Sequence, residues 1–206
     1  MTVLVLGGAG FIGRAVVRAL CAEHESVRVL DRHGAPADGL DAGVERWCAA
    51  DLADGEALRE MLAGCDAVVH LAGVAHKPAD DDFFDRVNHR ATSALAQAMP
   101  RDGKKHLVFI SSIAAQSGSS SDHELTEDDV PAPVNAYGRS KLAAEQAIRA
   151  AGISFAILRP VVIYGEGEKG NFAIIHRLAR LPIPLPFGAL NAPRSVLSIE
   201  NFNSAV

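Results

Sequence analysis

Apolar runs and stretches of helical periodicity alternate along the chain. Short β-branched runs such as "TVLVLG", "SVRVLD" and "HLVFISS" stand between longer stretches with apolar residues at helical spacing, the first of them at 11–22. Runs that are apolar throughout are typical of strands buried on both faces, and helices between such strands indicate parallel pairing. The pattern therefore predicts an α/β fold with a doubly wound parallel sheet.

The same rhythm places the remaining elements and two exceptions. Further strands are expected in "VERWCAADL", "DAVVHLAG" and "SFAILRPVVIYG", and further helices at 55–63, 83–99 and 136–151. The polar run "SGSSSDHELTEDDVPAPV" predicts a long functional loop. Beyond Gly165 the chain is rich in loops and prolines and ends on a strand-like "SVLSIEN". We expect a first domain at 1–164 and a partial substrate-binding lobe at 165–206.

Composition removes several classes of function. The chain has 206 residues, 49% of them hydrophobic, and a net charge of −5. It offers no basic field for a nucleic acid, and no apolar run approaches the ~20 residues of a membrane span. The three cysteines are far apart and outside any metal-binding spacing, so free thiols are expected and no metal. A cytoplasmic protein fits these features.

Glycines follow the first strand at a regular spacing. "GGAGFIG" places Gly7, Gly10 and Gly13 between that strand and the first helix, where Phe11 and Ile12 begin. Glycine permits the tight turn, the close approach of a pyrophosphate and the packing of helix on strand, and the helix N-terminus offers free N–H groups to phosphate. A dinucleotide site is predicted, with a plain tight turn as the alternative.

An acidic residue ends the second strand. Asp31 stands where a carboxylate can bind the ribose hydroxyls of adenosine, and its charge would repel a 2′-phosphate. NAD is therefore favoured over NADP, although Arg32 keeps NADP open. An aspartate that only closes a strand into a turn is the alternative.

The third and fourth strands bring small and polar residues to the same expected crevice, because ligands in open α/β sheets bind outside the carboxyl ends of the strands. Asp51 could meet an adenine amine, and small side chains leave room for ribose. The candidates are Asp51, Leu52, Leu71, Ala72 and Gly73. His70 and His76 lie nearby, but nothing completes a metal site and structural roles are expected.

Tyr137 and Lys141 are four residues apart at the start of a predicted helix, so they share one helix face. A tyrosine titrates near pH ~10. A neighbouring ammonium and an oxidised nicotinamide ring would lower the pKa, while burial would raise it. The pair is a candidate general base with its cation.

Two serines end the fifth strand at the same edge. A hydroxyl there could hold a substrate oxygen near the phenol. Adjacent strand residues point to opposite faces, so one serine faces the site. Ser112 is the choice, and Ser111 is the alternative.

These residues together resemble the extended short-chain dehydrogenase/reductase family, in particular its NAD-dependent epimerase/dehydratase branch. The resemblance rests on "GGAGFIG", "DL" at 51–52, "HLAG", "VN" at 87–88, "FISS", "YGRSK", "LRPVVIYG" and "RSVLSIEN". It implies a Rossmann-like domain with a smaller C-terminal substrate lobe. It also implies a homodimer formed through the helices near 83–99 and 136–151.

The resemblance implies roles for individual positions. Ser112, Tyr137 and Lys141 would be the catalytic group, and the three glycines with Asp31 would hold the cofactor. Pro160 would lie against the nicotinamide and Asn88 would support the site. Asn171 and Arg194 match positions that contact the nucleotide diphosphate of the substrate. All of these residues are present in the sequence.

The sequence also departs from the family pattern. A Tyr-Gly that usually follows the serine segment is missing from "SSIAAQSG". Dehydratases of the family carry Asp-Glu after the catalytic hydroxyl, whereas Ile113 and Ala114 stand here, which disfavours dehydration. The expected function is a nucleotide-sugar epimerase acting on a UDP-hexose. A net oxidoreductase on a sugar or small carbonyl, and a non-catalytic NAD sensor or scaffold, remain alternatives.

Overall fold

A computed structural model describes residues 1–23, 25–35, 43–75, 79–118, 120–121, 123–167, 177–178, 180 and 194–206. The main sheet has six strands, all paired in parallel, in the order β3-β2-β1-β4-β5-β6. The strands are β1 Thr2–Leu6, β2 Ser26–Asp31, β3 Val44–Ala49, β4 Ala67–His70, β5 His106–Ile110 and β6 Ser154–Leu158. This is the Rossmann strand order, so the predicted doubly wound α/β fold is confirmed.

Helices connect the strands. They are α1 Phe11–Ala22, α2 Gly55–Leu62, α3 Asp81–Phe84, α4 Ala91–Ala98 and α5 Ala136–Ala150. A π-helix at Asp85–Arg90 joins α3 to α4, so the predicted helix at 83–99 is continuous but locally widened. A short 3₁₀ turn at Ile113–Ala115 follows β5.

The sheet separates two apolar layers. Along β1, Val3 and Val5 point into one layer and Leu4 and Leu6 into the other, as strand alternation requires. The layer beside Leu4 contains buried side chains of α2, α4 and α5, and the layer beside Val3 contains those of α1. The continuous apolar runs in the sequence therefore have the predicted cause, which is burial on both faces.

The last described residues pack on this core. "SVLSIEN" was expected to be strand-like, but it divides into β8 Val196–Ser198, paired with β7 Val162–Tyr164, and the start of α6 Ile199–Ala205. The helix begins there because the hydroxyl of Ser198 accepts a hydrogen bond from the Asn201 backbone N–H at 3.2 Å. Phe202 is 1% exposed and lies among the buried valines of β1 and α1.

This packing places residues 196–206 against the layer of α1, where Asn203 Nδ2 donates to the Ala15 carbonyl at 3.4 Å. Most of the expected lobe at 165–206 lies outside the described residues, so its separate character stays a prediction. Within the described ranges, no helix is long and apolar enough to cross a membrane.

The strand order reverses next to β1, between β1 and β4. In open α/β sheets this reversal opens a crevice at the carboxyl ends of the strands. The segments that follow β1, β2, β4 and β5 therefore meet at one edge, where the candidate residues lie.

Candidate active site

The glycine turn, residues 7–13, lies at the mouth of this crevice. Gly7 has φ +86°, and a Cβ added to it would stand 2.7 Å from the backbone of Ala72. A Cβ on Gly13 would stand 2.2 Å from the carbonyl oxygen of Gly7. A Cβ on Gly10 would instead be 3.7 Å from that oxygen, an ordinary contact. Gly7 and Gly13 are thus required by backbone packing, whereas Gly10 leaves open space beside the start of α1.

Gly8 is a structural requirement that the sequence reasoning missed. A Cβ on Gly8 would lie 2.5 Å from Cγ1 of Val29 on β2. The paired glycines in "GGAG" were the available signal, but only the regular spacing of the other three was interpreted. Close packing therefore requires three of the four glycines in the turn, Gly7, Gly8 and Gly13.

The first turn of α1 favours an anion. Gly10 provides no side-chain cap and the turn carries no acidic residue, so neither blocks the N–H groups that follow, including those of Phe11 and Ile12. Helix N-termini of this kind bind phosphate through free N–H groups and the helix dipole.

Asp31 lies beside the same turn. Its Oδ2 accepts a hydrogen bond from the Ala9 backbone N–H at 3.1 Å, and its Oδ1 accepts one from the His33 N–H at 3.0 Å. The carboxylate therefore sits between the glycine turn and the end of β2, the place predicted for it. Arg32 is exposed to solvent.

The residues after β3 and β4 line the crevice unequally. Asp51 is exposed and its Oδ1 accepts from the Ala53 N–H at 2.9 Å, whereas Leu52 is buried. Leu71 donates its N–H to the Leu6 carbonyl at 2.9 Å, and Ala72 packs on Gly7. The contact involves the backbone of Ala72, so it requires glycine at position 7.

Asn88 ties the crevice to α5 from inside the π-helix. Its Oδ1 accepts from the Val74 N–H at 2.9 Å, and its Nδ2 donates to the Val74 carbonyl and to the Ser140 hydroxyl, both at 3.0 Å. A Cβ on Gly73 would lie 3.0 Å from that Oδ1. The buried amide fixes the segment after β4 at close range, which suits the supporting role expected of it.

The start of α5 is pressed against the 3₁₀ turn. Asn135 caps the helix by accepting from the Gly138 N–H at 2.8 Å. A Cβ on Gly138 would stand 2.1 Å from the carbonyl oxygen of Ala114, so only glycine allows this approach. As a result Tyr137 and Ser112 come into hydrogen-bonding contact through their side chains.

The phenol of Tyr137 is largely buried, and burial raises its pKa above the ordinary value. The hydrogen bond with Ser112 acts in the opposite direction. The expected lowering by Lys141 is not among the causes of this shift. The Lys141 ammonium donates to the Ile110 carbonyl at 2.8 Å. In this state of the protein the tyrosine is protonated at neutral pH.

Lys141 is enclosed. Its Nζ lies 4.6 Å from the centroid of the Phe109 ring, and a Cβ on Gly73 would lie 3.5 Å from it. Burial lowers the pKa of Lys141 to about 8, and the charge of Glu145 opposes that fall. The amine is thus mostly protonated at neutral pH, with a pKa only about one unit above that pH.

The two serines face different partners, as strand alternation predicts. Ser111 is buried and its hydroxyl donates to Oε1 of Glu145 at 2.5 Å. Ser112 accepts from the Ala114 N–H at 3.2 Å and contacts Tyr137. This geometry supports the choice of Ser112 over Ser111. We call Ser112, Tyr137 and Lys141 the Ser–Tyr–Lys cluster.

The remaining candidates are spread more widely. The carbonyl of Pro160 accepts from the Ile113 N–H at 3.0 Å, so Pro160 adjoins the turn that follows Ser112. Arg194 is exposed, just before β8. Asn171 and His76 lie outside the described residues.

His70 is a core residue. Its Nε2 lies 2.8 Å from the Thr92 hydroxyl, and burial lowers the pKa of His70 to about 3. It is therefore neutral in the folded protein, which suits the structural role expected of it. The described part of the chain contains no group of His, Cys, Asp or Glu side chains that could hold a metal ion.

The fold, the glycine turn and the cluster define a class of dinucleotide-dependent enzymes, and the sequence comparison names the family. The model of the NAD dependent epimerase/dehydratase family matches residues 3–202. The chain belongs to this family. The predicted resemblance is thereby confirmed.

Individual relatives differ in the activity that they carry. The UDP-glucose 4-epimerase of Vibrio cholerae is 32% identical over 213 residues, covering 97% of this chain and 63% of that protein. The ceramide reductase of Caulobacter vibrioides is 31% identical, covering 97% of this chain and 57% of that one. The chain thus spans about three fifths of these two relatives.

A solved structure gives a similar result. MoeE5, in complex with UDP-glucuronic acid and NAD, superposes with a TM-score of 0.81 at 28% identity. The match covers 100% of this chain and 70% of that one.

Proposed function

We propose that this chain is the NAD-binding and catalytic part of a nucleotide-sugar epimerase that acts through a transient keto intermediate. The observation that carries the proposal is the contact of Ser112 with Tyr137, beside Lys141, at the sheet edge that also holds the glycine turn. A UDP-hexose is the proposed substrate, since two relatives that match over 97% of this chain are UDP-glucose 4-epimerases.

The residues present fit NAD. The space left open at Gly10 and the uncapped N-terminus of α1 suit a pyrophosphate, and the carboxylate of Asp31 stands beside the turn to accept ribose hydroxyls. The further candidates for the cofactor site are Phe11, Ile12, Arg32, Asp51, Leu52, Leu71, Ala72, Gly73, Asn88 and Pro160. Bound NAD would supply a reversible hydride acceptor.

The protein's own part in the chemistry is proton transfer and orientation. Tyr137 as phenolate would take the proton of the sugar hydroxyl as the carbonyl forms, and would return it when the carbonyl is reduced. Ser112, already hydrogen-bonded to the phenol, would donate to the substrate oxygen and hold it in line. If the sugar turns over between the two steps, the configuration at the carbon is inverted.

Lys141 would bind the nicotinamide ribose and contribute positive charge near the phenol. Burial raises the pKa of Tyr137, so a cation nearby must offset that cost for a phenolate to form. The positive ring of the oxidised cofactor would act in the same sense. The tyrosine is therefore expected to become a base only when the cofactor is in place.

The substrate would also need groups outside this cluster. Arg194, exposed before β8, offers charge and paired donors for a diphosphate, and Asn171 is the second candidate. Both belong to the proposed lobe at 165–206. A homodimer through the helices near 83–99 and 136–151 is part of the proposal, and a monomeric elution profile at working concentration would contradict it.

A net oxidoreductase is the second candidate. It is favoured by one observation, the match to a ceramide reductase over 97% of this chain. The Ser–Tyr–Lys cluster can serve either reaction, because both begin with the same transfer of a proton and a hydride. Retention of the cofactor would separate the two. A sensor that binds NAD without turnover has no need of Tyr137 and Lys141, so the presence of the cluster argues against that alternative.

The test is to incubate the purified protein, first without added cofactor and then with NAD, with UDP-glucose or UDP-N-acetylglucosamine. Products are separated by chromatography, and a Tyr137→Phe variant is run beside the wild type. Epimer formed by the wild type alone supports the proposal. Accumulation of NADH with a sugar or alcohol supports the oxidoreductase. NAD binding with no conversion of any substrate supports the sensor.

A further inference from the structure

An ion pair lies behind the Ser–Tyr–Lys cluster, and the proposed chemistry does not use it. Glu145 on α5 is 1% exposed. Arg159 donates to its carboxylate twice, from Nε to Oε1 at 2.9 Å and from Nη2 to Oε2 at 2.5 Å. The Ser111 hydroxyl adds a third bond, to Oε1. Burying a carboxylate this deeply destabilises the fold unless its oxygens are hydrogen-bonded. Both oxygens of Glu145 are hydrogen-bonded here.

The same network holds the segment that carries Ser112. Arg159 also donates through Nη1 to the side-chain oxygen of Gln116, whose Nε2 donates to the Asp129 carbonyl at 2.8 Å. Ser111 precedes Ser112 and Gln116 ends the 3₁₀ turn after it. Ser111, directly after β5, and Arg159, directly after β6, therefore hold the carboxylate of Glu145, and Gln116 in turn holds Arg159.

Glu145 also stands one helical turn after Lys141, on the same face of α5. The ammonium of Lys141 is buried between the Phe109 ring and the Ile110 carbonyl. Burial lowers the pKa of Lys141 to about 8, and Glu145 is the group that raises it. Without this carboxylate the buried amine would lose its proton at a lower pH.

No other group described around Lys141 supplies a negative charge that favours its protonated form. His70 on β4 is buried and neutral, and its interaction with the ammonium lowers its own pKa further. Asn88 on the π-helix and the phenol of Tyr137 are uncharged at neutral pH. Arg159 is itself a cation. Among the described residues Glu145 is the negative charge that acts on this lysine.

We propose that Glu145 is a positioning residue for the proposed reaction: its buried carboxylate is the counter-charge that keeps Lys141 protonated beside Tyr137. Arg159 and Ser111 hold the carboxylate in place for that purpose. The inference rests on the proposed function for the use made of the charged lysine. The charge relation between Glu145 and Lys141 can be measured without turnover.

The experiment is an NMR titration of the full chain with lysines labelled at Cε, in the absence of cofactor and substrate. The Lys141 signal is assigned with a Lys141→Arg variant. In the wild type the midpoint is expected near 8. In Glu145→Gln it should fall by about one pH unit, since the negative charge that favours the ammonium is removed.

Asp81→Asn is the matched control. Asp81 on α3 is an exposed carboxylate that pairs at 2.7 Å with Arg139 on α5, the helix that carries Lys141. Its loss should leave the Lys141 midpoint unchanged. If Glu145→Gln does not fold because Arg159 is left unpaired, Glu145→Met combined with Arg159→Met removes both charges together. A smaller fall is expected there, because the double substitution also removes the positive charge of Arg159, which disfavours a second cation nearby.

An unchanged midpoint in the folded variant overturns the proposal. In an active preparation, the alkaline limb of the pH–rate profile should move to lower pH together with the NMR midpoint, and a limb that does not move would also overturn it. Absence of epimerase activity on every sugar tested would count against the proposed function, while the titration would still decide the charge relation.

Discussion

The two halves of the candidate site are built by different means. In the glycine turn, backbone lies on backbone: Cβ atoms on Gly7 and Gly13 would collide with main-chain atoms at 2.7 and 2.2 Å. In the Ser–Tyr–Lys cluster, side chains are placed by a capped helix, a buried amide and a buried ion pair. The first half is a matter of shape and the second a matter of charge and hydrogen bonding.

The difference predicts opposite responses to change. The packing of the glycine turn does not depend on pH, but an added Cβ atom disrupts it. A cluster of buried ionisable groups can keep its shape when a side chain of equal size is substituted and still lose its function. It depends on protonation, because burial shifts each pKa there. The following five predictions test this contrast.

Tyr137→Phe should have the largest effect on the cluster. It removes the proposed base without changing the ring, so we expect turnover to fall by about 10² to 10⁴-fold while NAD binding is retained. The measurements are the turnover rate on the substrate found for the wild type and NAD affinity by calorimetry. Tyr164→Phe is the matched control, because Tyr164 lies on β7 and is not part of the Ser–Tyr–Lys cluster. Equal activity of the Tyr137 variant and wild type would refute the assignment.

Gly13→Ala should be the most damaging single methyl in the glycine turn. The added Cβ would stand 2.2 Å from the Gly7 oxygen, so a loss of about 3 kcal/mol in the free energy of unfolding is expected. Urea unfolding measures it.

Gly10→Ala sharpens that test. Its Cβ has room, and the expected stability loss is about 1 kcal/mol or less, the usual difference at a helix N-cap. NAD affinity should nevertheless fall by about tenfold or more, because the methyl occupies the space left for the pyrophosphate. A variant that binds NAD like wild type would place the phosphates elsewhere.

Acid should lower the free energy of unfolding through His70, the buried histidine near the cluster. The folded pKa of His70 is about 3, below its ordinary value of 6.5, so the unfolded chain binds the extra proton first as pH falls. Its stabilising contribution is full above pH 6.5 and is lost below it, by on the order of 2 kcal/mol at pH ~5.

Urea unfolding at several pH values compares His70→Gln with the wild type. Gln at 70 can still donate to Thr92 and has no proton to gain, so its stability should fall less between pH 7 and 5. His106→Gln is the control, since His106 lies exposed at the start of β5 beside Ser154. Parallel curves for wild type and His70→Gln would show that another group causes the acid loss.

Asp31→Asn should have the smallest effect. The amide can still accept from Ala9 at the glycine turn but loses the charge that repels a 2′-phosphate. We expect NAD affinity to fall by about tenfold, or roughly 1.4 kcal/mol, and the preference for NAD over NADP to become smaller. Binding titrations with both cofactors measure it. An unchanged preference would show that Asp31 only closes the turn.

Sequence reasoning succeeded where local pattern and physics coincide. The first helix was predicted at 11–22, and α1 Phe11–Ala22 is there, because an amphipathic stretch follows a glycine turn. The parallel sheet followed from strands apolar on both faces. Strand alternation separated Ser111 from Ser112 in principle, and Glu145 accounts for the orientation of Ser111.

Other features could not be predicted. The division of "SVLSIEN" into β8 and α6 depends on a cap by Ser198 and on a core site for Phe202 that distant strands create. Gly8 is required by Val29, which lies on a different strand. In each case the deciding contact joins residues far apart in the chain.

The sequence by itself determined the fold class, the glycine turn and the identity of the chemically able residues, since these depend on local periodicity, backbone freedom and side-chain type. The tertiary structure decided their electrostatic state. The pKa of Tyr137 is raised by burial and not lowered by Lys141. Burial lowers the pKa of Lys141 to about 8, although the charge of Glu145 raises it. Burial and charge pairing arise only when distant segments pack together, because they depend on distances that no spacing along the chain contains.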